Sequence, residues 1–166
     1  KSARFMTPNT HGWKLMRDAA LSLALTHAFA GELANPRQMT AFSYNGSTAV
    51  LPDDPAFTGG PGVGTLLPEV KLGDDFLSDR LGEGFTVVCF DTKLARQIAA
   101  LGPDARWLSV VAVPRPSPVA GKFAAHDRSA YLVRPDMHIA GRWLKATAED
   151  VIAGFRAVTF QRGASR

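Results

Sequence analysis

The hydrophobic residues of this chain recur at two periods, and each period predicts its own kind of element. Between Trp13 and Ala30 they are spaced by three and four residues, as on an amphipathic helix that Gly31 would end. The runs 85–90 and 107–113 are nearly continuous and rich in β-branched residues, as expected for buried strands. The pattern therefore predicts an α/β protein preceded by an N-terminal helix.

The N-terminal helix is apolar on more than one side. Leu21, Leu25 and Phe29 lie outside its main stripe. A helix that is apolar on nearly all sides is usually buried on several of them. We therefore expect this helix to pack against another domain or chain. The main stripe comprises Leu15, Met16, Ala19, Ala20, Leu23, Ala24 and Ala28.

Between residues 69 and 113 the pattern predicts two successive β-α-β units. The first has a strand at Glu69–Leu72 and a short helix at Asp75–Leu81. The second has a helix at Lys93–Leu101, which Thr92 would cap and Gly102-Pro103 would end. Right-handed crossovers then make the strands at 85–90 and 107–113 parallel neighbours. The inward residues of the two helices would be Phe76, Leu77 and Leu81, and Leu94, Ile98 and Leu101.

A β-hairpin is predicted at Tyr131–Trp143, with its turn at Pro135-Asp136. Thr147 and Asp150 approximate a capping box for a final helix. The elements therefore follow in the order β-α-β-α-β-β-α. On the returning strand, alternation places Ile139 and Gly141 on one face and His138, Ala140 and Arg142 on the other.

Residues 51–68 are rich in proline and glycine and predict an irregular connector. Its run Gly60-Pro61-Gly62-Val63-Gly64 lacks the spacing G-x-G-x-x-G, a preceding strand and a following helix. Because a dinucleotide-binding fingerprint needs all three, we expect no nucleotide site here.

Composition limits the classes of function. With 166 residues, 46% of them hydrophobic, the chain suffices for one ordinary domain. It has no run of about eighteen apolar residues and no signal segment, so we expect a cytoplasmic protein without a membrane partner. Cys89 is the only cysteine, which excludes a Cys-x-x-Cys redox pair. In its apolar strand Cys89 is expected to pack as a small hydrophobe.

The charged residues and histidines predict no site. The net charge is +4, but the arginines are scattered without a basic run, so we expect no nucleic-acid partner. The histidines have no ligand spacing, and we expect no metal. His126-Asp127 is interpreted as a surface turn, since adjacent residues are not thereby oriented on each other. The four histidines are His11, His27, His126 and His138.

Arg134 and Arg142 flank the hairpin and have two interpretations. Either arginine could pair with Asp136 and stabilise the turn, for at most about 1 kcal/mol if exposed. Alternatively, they could anchor an interface with another domain, because arginine is enriched at interfaces. Both interpretations are kept at this point.

The hairpin also carries a motif. Residues 132–142 read LVRPDMHIAGR. This resembles the LVRPDG-x-[VI]-A-x-R hairpin that closes the C-terminal domain of class A flavoprotein aromatic hydroxylases, which are FAD-dependent monooxygenases of the phenol hydroxylase type. Met137 stands where that family usually has glycine. Upstream, Thr7-Pro8 with residues 15–24, LMRDAALSLA, resembles the last helix of the family's flavin domain, and Arg37-Gln38 with Tyr44-Asn45-Gly46-Ser47 resembles its linker.

The resemblance implies three parts of a fragment cut from a longer chain. Residues 1–50 would be the last helix and linker of the flavin domain, residues 51–68 a connector, and residues 69–162 a thioredoxin-like domain without its Cys-x-x-Cys. It implies FAD and NAD(P)H as cofactors of the full-length parent, which would hydroxylate an aromatic ring with O₂. The family's dinucleotide fingerprint does not occur in this chain, so we name no catalytic, cofactor-binding or metal-binding residue.

The fragment itself is therefore expected to be inactive, to hold no cofactor and to have a structural and interface role. Its expected partners are the rest of its own flavin-domain chain and, as a further candidate, a second copy in a homodimer. One alternative is a stand-alone thioredoxin-like binding module that uses the loop Pro114–Pro118 for a partner. Another is a peroxidatic thiol at Cys89.

Overall fold

A computed structural model describes residues 5, 7–27, 29–31, 42–104 and 106–159. The chain divides into two compact units, Lys1–Ala41 and Phe42–Arg166. Residues 42–68, predicted as linker and connector, thus belong to the second unit. The assignment of residues 1–50, 51–68 and 69–162 to parts of a flavoenzyme stays a prediction, and the Arg37-Gln38 motif lies outside the described residues.

In the first unit, helix α1 spans His11–Ala24. The prediction that it continues to Ala30 and ends at Gly31 is wrong. After Ala24 the backbone tightens, because Leu25 donates to the carbonyl of Ser22 at 3.4 Å and Thr26 to that of Leu23 at 3.1 Å. These bonds reach back three residues instead of four, as is common at helix ends.

Helix α1 leaves its apolar residues on the surface. None of its residues is buried. The expectation that this helix packs against another body therefore stays a prediction. The large apolar residues exposed on α1 and just beyond it are Leu15, Met16, Leu21, Leu23, Leu25 and Phe29.

The second unit is built on a four-stranded mixed sheet of β3 (Phe85–Cys89), β4 (Leu108–Ala112), β5 (Ala130–Val133) and β6 (Ile139–Trp143), in the order β4-β3-β5-β6. Strands β3 and β4 are parallel, as predicted, and β5 is antiparallel to both β3 and β6. A separate two-stranded sheet is formed by β1 (Lys71–Leu72) and β2 (Asp75–Phe76).

Helices cover both faces of this sheet. Helix α2 (Thr92–Leu101) and helix α4 (Ala148–Val158) pack together in the core on one face. The other face holds helix α3 (Pro118–Lys122) and buried residues of the segment 50–67. The predicted class, an α/β fold with a central mixed sheet flanked by helices and an N-terminal helix, is confirmed.

The first predicted β-α-β unit does not exist. Strands β1 and β2 form their own hairpin, and Ser78–Arg80 is a single 3₁₀ turn where a helix at Asp75–Leu81 was predicted. Gly73, at φ +75°, and Asp74 make the two-residue turn. A Gly-Asp pair of this kind favours a hairpin, and that local signal outweighs the helical spacing.

Three smaller predictions are also corrected. Helix α2 is capped by Asp91, whose Oδ1 accepts the Leu94 N–H at 2.8 Å, and not by Thr92. Leu101, at the end of α2, is 52% exposed, and Trp107 is 63% exposed because it lies in the turn before β4, which begins at Leu108. Helix α3 was not predicted, although Ser117-Pro118 supplies both its cap and its first residue.

The hairpin turn keeps a left-handed residue at Met137. The Met137 N–H donates to the Arg134 carbonyl at 2.9 Å, and the Arg134 N–H donates to the His138 carbonyl at 2.8 Å. Met137 has φ +64°, a conformation that favours glycine. The turn thus has the geometry for which glycine is suited, with methionine in that place.

A bulge changes the faces of β6. Leu132 pairs with Gly141 while Val133 pairs with Ile139, so Ala140 is an extra residue in the ladder. Ile139 consequently packs in the core on the α3 face, whereas Ala140 packs in the core on the α2 face. The prediction that Ile139 and Gly141 share a face is therefore wrong.

Helix α4 begins with the predicted capping box. The Thr147 hydroxyl accepts the Asp150 N–H at 3.1 Å, and an Asp150 carboxylate oxygen accepts the Thr147 N–H at 3.2 Å.

Within the described ranges, no helix combines the length and the apolar content that crossing a membrane requires.

Candidate functional site

The outer edge of β6 is covered by residues 51–67, which we call the edge layer. Its backbone continues the sheet, since the Leu51 N–H donates to the Ala140 carbonyl at 2.7 Å and the Leu67 N–H donates to the Met137 carbonyl at 2.7 Å. Between them, Ile139 exchanges bonds with Gly64 and Thr65, at 2.8 and 2.9 Å. The predicted connector is thus part of the folded unit.

Arg142 holds the edge layer from inside. Its Nε and Nη2 donate to the two carboxylate oxygens of Asp53, at 2.6 and 2.9 Å. Nη2 also donates to the carbonyl of Phe57 at 3.0 Å, and Nη1 donates to those of Gly59 and Pro61, at 2.8 and 3.1 Å. These bonds use all five N–H groups of the guanidinium. Neither interpretation of Arg142 foresaw these contacts: Arg142 pairs with Asp53 of its own folded unit and not with Asp136.

The surroundings keep Arg142 charged. Its side chain is 8% exposed, and the guanidinium lies 4.7 Å from the centre of the Phe57 ring, a cation–π distance. Burial alone would lower the pKa of Arg142, but the hydrogen bond and charge of Asp53, together with Tyr131, raise it overall. A buried charge whose every donor is paired can be tolerated, whereas one that lost its partner would be strongly destabilising.

Tyr131 lies opposite Arg142 in the β5–β6 pairing. Its hydroxyl donates to the carbonyl of Phe123 at 2.6 Å. Burial raises the pKa of Tyr131 to about 12, although Arg142 acts in the opposite direction. The hydroxyl is therefore protonated at neutral pH, and its one proton is committed to a buried carbonyl.

The glycines of the edge layer are needed for close packing. Gly60 has φ +64°, and a Cβ there would lie 2.5 Å from the Phe123 carbonyl oxygen and 2.8 Å from the Tyr131 hydroxyl. Gly64 has φ +82°, and a Cβ there would lie 2.4 Å from the Asn45 nitrogen. Gly60 and Gly64 thus allow a close approach of backbone that a side chain at either position would prevent.

Arg134 has the turn-stabilising role that was one of the two interpretations. It donates to an Asp136 carboxylate oxygen at 2.8 Å across the turn. Its guanidinium also lies 5.2 Å from the centre of the Tyr44 ring, and this ring meets His138 edge-on at 4.7 Å. Arg134 therefore stabilises the turn and ties the segment near Tyr44 to it.

The other candidate residues from the sequence, Cys89 and the pair His126-Asp127, are not arranged as a reactive site. Cys89 is fully buried, and burial raises the pKa of its thiol to about 12, with Asp91 contributing in the same direction. Asp127 pairs with Arg115 and not with its neighbour His126. In the part of the chain that the structure describes, no three His, Cys, Asp or Glu side chains are placed to hold a metal ion.

A cleft of about 560 Å³ opens where β3 and β4 begin. Its apolar lining includes Phe85 and Phe155, which meet edge-on at 5.4 Å, and Trp107. Glu83 and Arg106 are its charged members. The cleft suits an apolar group, and the hydroxyl of Thr159 in its lining donates to the Phe155 carbonyl at 2.8 Å.

Comparison with solved structures identifies proteins that share this fold. No family model matches the chain, and no curated protein matches it. Solved structures that share its fold include flavin-dependent hydroxylases and monooxygenases. The resemblance noted in the hairpin and helix motifs thus extends to the fold.

Three of these structures illustrate the extent of the likeness. Aklavinone-11 hydroxylase, solved with FAD and aklavinone, is 23% identical with a TM-score of 0.58 over 86% of this chain and 33% of its own. The flavin-dependent monooxygenase PieE, solved with FAD and substrate, is 21% identical with a TM-score of 0.59 over 96% and 31%. RebC with bound 7-carboxy-K252c is 23% identical with a TM-score of 0.53 over 90% and 29%. The chain therefore spans about a third of the length of the structures it matches.

Arg142→Lys should lower the free energy of unfolding by roughly 3 kcal/mol, because lysine keeps the charge but cannot serve Asp53 and the three carbonyls together. Arg80→Lys is the matched control: its ion pair with Asp75 is half exposed on both sides, so a loss of about 0.5 kcal/mol is expected. Urea denaturation of both variants measures the difference. Similar losses would show that the Arg142 contacts are not special.

Stability should fall as the pH rises above about 9. The folded state keeps the Cys89 and Tyr131 protons up to a pKa of about 12, while the unfolded chain releases them near 9.0 and 10.0. The unfolded state then binds fewer protons, so alkali favours unfolding. Cys89 alone should contribute a decline of roughly 2 kcal/mol by about pH 10.5.

Urea denaturation across this pH range, with wild type and Cys89→Ala side by side, isolates the thiol. The variant should start less stable because of the smaller side chain, and its curve should fall less steeply between about pH 9 and 10.5. Two parallel curves would contradict the raised pKa of Cys89.

Proposed function

We propose that this chain is the C-terminal, thioredoxin-like part of an FAD-dependent aromatic-ring monooxygenase, with a structural role. The observation that carries the proposal is the shared fold over 86–96% of this chain with about a third of two flavin-dependent hydroxylases or monooxygenases. The hairpin motif at residues 132–142 and the helix motif at residues 15–24 support it independently of the fold.

The glycine-rich stretch at residues 59–64 is not arranged to hold a flavin phosphate. The glycine-rich stretch turns the carbonyl oxygens of Gly59 and Pro61 onto Arg142, and Gly60 and Gly64 are closely packed. A flavin phosphate would need free N–H groups at such a place. We therefore propose that FAD and NAD(P)H bind to the parts of the parent enzyme outside this chain, and we derive no chemical step from these residues.

The structural role rests on two surfaces. The edge layer closes one side of the sheet through Arg142. Helix α1, in contrast, exposes large apolar side chains such as Leu15 and Met16, and contiguous apolar surface of this kind marks interaction sites. We propose that α1 belongs to the flavin domain of the parent and is covered there.

The alternative of a stand-alone binding module is not favoured by the structure of its loop. In the loop Pro114–Pro118, Ser117 and Pro118 start helix α3, and Arg115 pairs with Asp127, so only a short piece is available as an extended ligand. A peroxidatic role for Cys89 is disfavoured by its burial and its raised pKa, because the thiolate is the reactive form.

The native gene product, purified from its own organism, tests the proposal. We expect a polypeptide several times larger than 17.8 kDa, yellow and with the absorption spectrum of oxidised flavin. It should oxidise NAD(P)H faster when a phenolic substrate is added, whereas the 166-residue chain mixed with FAD and NAD(P)H should not. A colourless product of about 17.8 kDa would overturn the proposal.

A further inference from the structure

The cleft where β3 and β4 begin has the size of a small-molecule site. Its volume of about 560 Å³ lies within the roughly 300–1,000 Å³ that is usual for ligand-binding cavities. The start of β3, the turn before β4, the end of α4 and Pro135 of the hairpin turn form its walls. All of these walls belong to the second unit, so the cavity is formed within one folded body.

Aromatic rings line the apolar part of this cleft. Phe85 and Phe155 meet edge-on, with their ring centres 5.4 Å apart and an angle of 82° between the rings. Trp107 is 63% exposed, although its carbonyl accepts the Phe85 N–H at 3.0 Å. The backbone of Trp107 is therefore fixed to β3 while much of its indole stays open. An aromatic ligand can meet such rings edge-on or in an offset stack.

The two charged residues of the lining differ in whether they have a partner. The Arg106 guanidinium donates to one Asp104 carboxylate oxygen at 3.1 Å, and the Arg106 backbone N–H donates to the other at 2.9 Å. The Glu83 carboxylate, in contrast, makes no hydrogen bond or ion pair with any residue that the structure describes. The charge of Arg106 is thus offset by Asp104, whereas the charge of Glu83 is available to a ligand.

The hydroxyl in the lining also acts as an acceptor. Thr159 uses its proton on the Phe155 carbonyl, at 2.8 Å, so its oxygen can only accept a further hydrogen bond. Glu83 and Thr159 therefore both favour a ligand that donates. A positively charged N–H group satisfies a carboxylate best, and a cation also interacts favourably with aromatic rings.

We propose that this cleft is a binding site for a small aromatic amine, whose ring lies among Phe85, Trp107 and Phe155 and whose ammonium group meets the Glu83 carboxylate. The rings account for the aromatic body of the ligand, and the unpartnered carboxylate accounts for its charge. The inference goes beyond the proposed function, because the cleft is formed by residues of this chain and requires no flavin.

Titration of the ¹⁵N-labelled 166-residue chain with three ligands of similar shape tests the inference. Phenethylamine is positively charged, phenethyl alcohol is neutral and phenylacetate is negatively charged. We expect phenethylamine to shift the Gly84 amide and Trp107 indole signals with a roughly millimolar Kd, as suits so small a molecule. The other two should bind at least about fivefold more weakly. The indole signal of Trp143, which does not line the cleft, should not move.

Two variants with exposed substitution sites test the named contacts. Glu83→Gln should weaken phenethylamine about fivefold and leave phenethyl alcohol within about twofold. Glu149→Gln removes the same charge at the start of α4, about 15 Å along the helix from Thr159, and should change neither. Trp107→Ala, followed through the Gly84 amide, should weaken both ligands at least about fivefold.

Butylamine, which has the length and charge of a lysine side chain, separates a small aromatic ligand from a lysine of a protein partner. It should bind at least about fivefold more weakly than phenethylamine, because it lacks the ring. Butylamine binding as tightly as phenethylamine would overturn the inference. So would equal binding of the charged and neutral aromatic ligands, an unchanged affinity in Glu83→Gln, or no shift at Gly84 and Trp107 at the solubility limit of phenethylamine.

Discussion

The ion pair between Arg142 and Asp53 is the interaction on which the second unit depends. It joins residues 89 positions apart, and it draws three backbone carbonyls of the edge layer onto the same guanidinium. A proline- and glycine-rich segment has little secondary structure of its own to hold it in place. The arginine replaces that missing regularity with a planar set of donors, which fixes position and orientation together.

Several other features follow from this arrangement. Because the edge layer is fixed, it can bond to β6 and close that side of the sheet, and Phe57, Val63 and Leu67 can enter the core on the α3 face. Tyr131 is buried beside the arginine and bonds Phe123, which connects the same layer to the end of α3. Among the described strands, β4 forms the opposite edge of the sheet.

The sequence predicted the elements whose signals are local. The runs of β3 and β4, the turn at Pro135-Asp136 and the capping box of α4 lie within a few residues of their consequences, and all were confirmed. At Gly73-Asp74 two local signals competed: the glycine–aspartate pair favoured a hairpin turn, and the spacing of apolar residues favoured a helix. The hairpin turn formed. The bulge at Ala140 was not predictable from alternation, because it arises where β6 must pair with β5 on one side and with the edge layer on the other.

The Arg142 site could be named from the sequence only as an arginine with two candidate roles. Its partner Asp53 lies in a segment without periodicity, and no spacing rule connects the two residues. The sequence was more informative about likeness, since the motif at residues 132–142 resembles flavoprotein hydroxylases and solved flavin-dependent hydroxylases and monooxygenases share the fold.

Amide hydrogen exchange tests the central claim most directly. In wild type the amides of Leu51, Gly64 and Leu67, which bond to β6, should be protected about as well as those of β3. In Arg142→Met, measured under conditions where the sheet stays folded, protection at these three amides should fall selectively. If it fell equally throughout the sheet, or not at all, the edge layer would be held by something other than Arg142.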